Sequence, residues 1–80
     1  MMTIKEYDLV ALTENVPAQH KQNKQSINLK TGQVGTVLMD FNQEAYLVDF
    51  ADSNGNTYAM ETISADKLMP LIYNPSEVCA

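Results

Sequence analysis

Short apolar runs separated by turn-forming residues mark this chain, and none is long enough for the two- or three-turn stripe of an amphipathic helix. The spacing predicts strands over Tyr7–Thr13, Gly32–Asp40, Glu44–Ala51 and Thr57–Thr62, with a fifth at Leu68–Ile72 that contains Pro70 and therefore suits a sheet edge. Asp52-Ser53-Asn54-Gly55-Asn56 carries an Asn-Gly pair between two β-rich runs, a strong hairpin signal. Ser64–Lys67 reads as one tight helical turn, Phe41–Gln43 as a short connection, and Glu14–Thr31 as a long surface loop whose Gln19–Ser26 tract offers little to a core.

Side chains alternate across a strand, so Tyr46, Val48 and Phe50 share the inward face while Leu47 and Asp49 point outward. With Glu61 set outward alongside Ala59 and Thr57, Tyr58 and Met60 are expected inward. Val34 and Val37 break strict alternation, and a bulge or bend at Gly35 would turn both inward. Strand, long loop, strand, short loop, strand, tight hairpin, strand, helical turn, strand is the order of an SH3-like barrel. The expected fold is therefore all-β: a small five-stranded SH3-like barrel over residues 1–73, with a 3-10 turn before the last strand and a polar tail over 74–80.

At 80 residues the chain makes one domain with a thin core, which excludes a cleft between domains. Five lysines and no arginine stand against ten acids, for a net charge of −5. Nucleic-acid binders neutralise phosphates with lysine and arginine clusters, so this balance argues against that class. Between Glu14 and Lys30 the sign reverses locally, with Lys21, Lys24 and Lys30 against Glu14, which makes a basic loop on an acidic body. Cys79 is alone, so no internal disulfide can form, and a reducing, cytoplasmic location is expected. No apolar run approaches the ~20 residues that span a bilayer.

Tyr7-Asp8-Leu9-Val10-Ala11-Leu12, the block from Asn28 through Gly32-Gln33-Val34-Gly35-Thr36-Val37, Tyr46-Leu47-Val48-Asp49-Phe50, and Ala65-Asp66-Lys67-Leu68 to Leu71 follow one another in order. Together they resemble a bacterial family known only as a domain of unknown function, common in cyanobacteria, whose members look like short SH3-like barrels. The resemblance covers Ile4 to Leu71 and implies a fold, with no catalytic residue or cofactor, and an antitoxin- or immunity-like partnership with a neighbouring gene product. The chain departs from the family pattern in its longer, Gln/Asn/Lys-rich first loop and in Leu47, where the family tends to place a charged residue.

Candidate chemistry is sparse. His20 and Cys79 lie far apart in sequence, with no third group to orient them as base and nucleophile. Asp49 with Asp52 and Asp40 with Glu44 are carboxylate pairs of the kind an acidic surface produces. The Asp52–Gly55 turn lacks the ligand spacing of a calcium loop, and one His with one Cys cannot close a zinc site. Gly32 and Gly35 are too close for a phosphate loop. No catalytic, cofactor or metal residue is therefore expected. The expected contacts with a protein partner are Tyr7 and Phe41 beside the first loop and second connection, Leu47 on the outward face, and Lys21 and Lys24 in the loop. The leading expectation is a non-enzymatic protein-binding module, monomeric or weakly self-associating. The alternatives are a nucleic-acid or ribosome-associated barrel of the KOW type and a small accessory subunit of a larger complex.

Overall fold

The structure, a computed structural model, describes residues 4–72. In chain order its elements are β1 (Leu9–Leu12), β2 (Val16–Gln19), β3 (Ser26–Leu29), β4 (Val34–Phe41), β5 (Ala45–Ala51), β6 (Thr57–Ser64), a 3-10 turn (Ala65–Lys67) and β7 (Leu68–Pro70). Five strands form an antiparallel sheet in the order β6-β5-β4-β1-β7, and β2 pairs with β3 in a separate two-stranded sheet. The all-β class, the five expected strands and the 3-10 turn before the last of them are all present, with two further strands. The expected tail over 74–80 lies outside the described residues.

The two extra strands correct the reading of Glu14–Thr31 as a long surface loop. Val16 pairs with Leu29 and Ala18 with Ile27, and this apolar alternation on both sides of the polar tract makes a hairpin. His20 N donates to Gln25 O at 2.8 Å, which sets the ladder so that Pro17 falls at a non-hydrogen-bonded position, where its missing N–H costs nothing. The polar tract is the turn itself and satisfies its own backbone: Gln22 N donates to His20 Nδ1, Gln25 N to Asn23 Oδ1, and Lys24 N to His20 O. The hairpin also contributes Val16 and Leu29 to the core, with Ala18 and Ile27 packed against it.

On the inner face of the sheet, Val10, Leu12, Val37, Tyr46, Val48, Phe50, Ala59, Ile63 and Leu68 form the body of that core. The inward expectation for Tyr46, Val48 and Phe50 holds, and Tyr58 of β6 packs against the core as expected, but Met60 does not join it. Ala59 and Ile63 are buried there, opposite Phe50 and Tyr46, whereas Tyr58 and Met60 are half-buried. Glu61 shares the inward parity because β6 is an edge strand. From that edge its carboxylate reaches the hairpin backbone and accepts from Gln19 N at 3.0 Å.

The expected bend at Gly35 is corrected as well. Val34 is exposed, and the register shift in β4 falls between Val37 and Met39. Gly35 is needed for a different reason. A Cβ there would lie 2.5 Å from Val48 Cγ1 and 3.0 Å from both Asp49 O and Phe50 Cδ1, so the glycine lets β4 lie close beneath the β5 side chains. The β5–β6 turn forms at the Asn-Gly pair as expected, with Gly55 at φ 84 and the Asp52 carboxylate accepting from Asn54 N and Asn56 N at 2.9 and 3.0 Å.

Two substitutions test this packing by denaturant unfolding. Leu29→Ala is expected to cost about 2–5 kcal/mol, the range for truncating a buried leucine; a loss below ~0.5 kcal/mol, typical of a surface position, would return the hairpin to the status of a surface loop. Gly35→Ala is expected to cost about 1–3 kcal/mol through overpacking, and an unchanged unfolding midpoint would show that β4 and β5 have room between them.

Candidate functional site

Residues paired across neighbouring strands point to the same face of a sheet, so the register maps the outer face row by row. Met69, Ala11 and Val34 form one row; Leu9, Thr36, Asp49 and Met60 the next; Met39, Leu47 and Thr62 a third; and Phe41, Ala45 and Ser64 a fourth. The β4 bulge allows Met39 to face outward although it is two residues from the buried Val37. Of the five exposed large apolar residues among those described, four lie on this face: Val34 (46% exposed), Met39 (47%), Phe41 (40%) and Met69 (51%). Scattered apolar side chains are normal on any surface, but four gathered on one sheet face mark that face as the apolar one.

Asp49 lies in the middle of this face, between Thr36 and Met60. Its Oδ1 is buried and accepts no hydrogen bond from the described residues. An unsatisfied buried carboxylate oxygen is costly.

Of the residues expected to contact a partner, Phe41 and Leu47 are brought together here, Phe41 as the last residue of β4 rather than part of a connection. Tyr7 is 74% exposed and is not a core residue; it adjoins the same end of the β1–β4 ladder, where its backbone N–H donates to Val37 O. At φ 71 it holds a conformation uncommon for a bulky side chain, of the kind that clusters at functional positions. Lys21 and Lys24 stand elsewhere. They line a cleft of about 310 Å³ between the hairpin tip and β6, together with Gln19, His20, Met60 and Glu61. Lys30 follows the far end of β3, so the three lysines do not form one basic patch.

Sequence reasoning missed Val34, Met39, Met69 and the central place of Asp49, because strand pairing decides which residues share a row. An alternation signal was present for Asp49 and Leu47, but the bulge hid Met39. The other suggested carboxylate pairings are taken up by turns: Asp40 accepts from Gln43 N at 2.6 Å, and Asp52 serves the β5–β6 turn. Among the described residues, no group of three or more His, Cys, Asp or Glu is placed to hold a metal ion. No helix there is long and apolar enough to cross a membrane. Cys79 lies outside the described residues.

Tyr46 pairs across the strands with Asp40 at the end of β4. Burial, and then the neighbouring Asp40 carboxylate, raise its phenol above the ordinary value of 10.0. Because the folded state resists phenolate formation, the contribution of the neutral phenol is complete below pH ~10 and is lost as pH rises through the folded-state value. The expected outcome is that wild-type stability falls more steeply above pH ~10 than that of Tyr46→Phe, which keeps the ring and loses the titration. Parallel pH–stability curves for the two proteins would show that the hydroxyl is fully solvated.

Residues 6–70 match the model of a family described as Domain of unknown function (DUF4926). No curated protein and no solved structure matches the chain.

Proposed function

Since the chain belongs to the DUF4926 family, whose description carries no function, we propose from its geometry that it is a non-enzymatic, SH3-like protein-binding module that docks through the outer face of its five-stranded sheet. The observation that carries this reading is the gathering of Val34, Met39, Phe41 and Met69 on one face around the unpartnered Asp49 carboxylate. An apolar surface with one half-buried carboxylate at its centre suits a partner that brings a lysine or arginine framed by apolar side chains. The apolar rim excludes water and strengthens the charge-assisted hydrogen bond to Asp49. The net charge of −5 favours encounter with a basic partner over an acidic one. Neutralisation of a basic neighbouring gene product, in the manner of an antitoxin or immunity protein, is a specific form of this reading.

The test is affinity capture followed by a binding measurement on the purified pair. Wild-type protein is expected to retain a basic partner, with affinity reduced about 30-fold or more by Met39→Glu or Asp49→Ala, the ~2 kcal/mol scale of a central contact. Thr31→Ala, in the turn between β3 and β4, is expected to bind as wild type. A partner held equally well by Met39→Glu would remove the outer face from the interaction. For the antitoxin form, co-expression with the neighbouring gene product should restore growth, and the Met39→Glu protein should not.

A further inference from the structure

β6 is an edge of the five-stranded sheet, and its hydrogen-bond alternation can be read from one contact. Ala65 N donates to Glu44 O at 2.9 Å, just beyond the Ala45–Ser64 pair, so that pair is a non-hydrogen-bonded one. Counting back along the register, Ile63, Glu61 and Ala59 face their backbone groups toward β5. Thr62 and Met60 turn their N–H and C=O groups off the edge of the sheet. The start of that edge is already used, since Lys21 N donates to Tyr58 O at 2.8 Å and draws the hairpin tip against β6. Beyond this contact lies the cleft lined by His20, Lys21, Lys24, Met60 and Glu61.

The cleft is basic on its hairpin side, although the protein is acidic as a whole. Its acid, Glu61, already accepts from Gln19 N. His20 Nδ1 accepts from Gln22 N at 3.2 Å, so in the neutral ring the proton sits on Nε2 as a further donor. We propose that the free edge of β6 adds an extended peptide strand of a partner, whose backbone pairs with Met60 and Thr62 and whose acidic end seats against Lys21 and Lys24. An open strand edge supplies affinity through main-chain hydrogen bonds, and a charged pocket at one end supplies direction and specificity. A second copy of this chain is the poorer occupant, since its own β6 edge carries the same lysines and its net charge of −5 repels the first. Lysines also guard exposed edges against aggregation, and the peptide specificity below separates docking from guarding. This surface shares Met60 and Thr62 with the outer face but uses their backbone edge and the hairpin lysines instead of the outer side chains, so either can fail alone.

The experiment uses amide NMR and hydrogen exchange with N-acetylated hexapeptides that alternate Thr and Val and end in two Asp or in two Lys. In the free protein the Met60 and Thr62 amides should exchange rapidly. The acidic peptide should shift and protect them, while the lysine peptide should leave them unchanged. Lys21→Gln with Lys24→Asn, the asparagine suiting the positive φ of 64 at that position, should weaken the acidic peptide about three- to tenfold. Met39→Glu should leave that binding intact. Protected amides in the peptide-free protein, an equal response to both peptides, or no response to the acidic one would each overturn the proposal.

Discussion

Two hydrogen bonds between the hairpin and the edge strand hold the fold closed. Gln19 N donates to the Glu61 carboxylate and Lys21 N to the Tyr58 carbonyl, and together they fasten the β2–β3 hairpin across the inner face of the sheet. Without that cover Val16 and Leu29 would leave the core, and the buried side chains of β5 and β6 beneath them would meet water. A domain of this size has little apolar surface to spare, so one hairpin's contribution is a large share of the total. The same contacts explain why a half-buried glutamate sits at an inward position of β6: its carboxylate satisfies a backbone donor of the hairpin.

Because the β2–β3 hairpin is spent on the inner face, the outer face has no cover among the described residues. Its apolar rows and the orphaned Asp49 oxygen are therefore a consequence of the architecture as well as a candidate docking surface. The hairpin tip that closes the core also brings Lys21 and Lys24 to the β6 edge, so core closure and the basic cleft come from a single contact. Gly35 serves the same economy of space, letting β4 approach β5 without a side chain between them.

Much of this was legible in the chain. Alternation located β5 and its inward residues, Asn54-Gly55 located a hairpin, and the outward parity of Leu47 and Asp49 followed from Tyr46, Val48 and Phe50. The misread positions share a cause. Glu61 reads locally as a marker of solvent, but an edge strand lets a carboxylate lie inward when a backbone N–H is within reach. Gly35 reads locally as a kink, but its role is close packing, which depends on the strand beside it. The polar Gln19–Ser26 tract makes its whole surroundings read as loop, but it is only the turn between two short alternating strands.

Composition and local pattern by themselves determined an acidic, all-β chain with its turns near Asn54-Gly55 and before Leu68, because turn chemistry and period-two alternation act over a few residues. Only the tertiary structure decided which residues meet. The β4 bulge brings Met39 to the outer face, strand register aligns Val34 with Met69 through Ala11, and the docked hairpin places Lys21 beside Met60. These are contacts between residues distant in sequence, set by pairing register and by the competition of two apolar faces for one cover, and no local pattern encodes them.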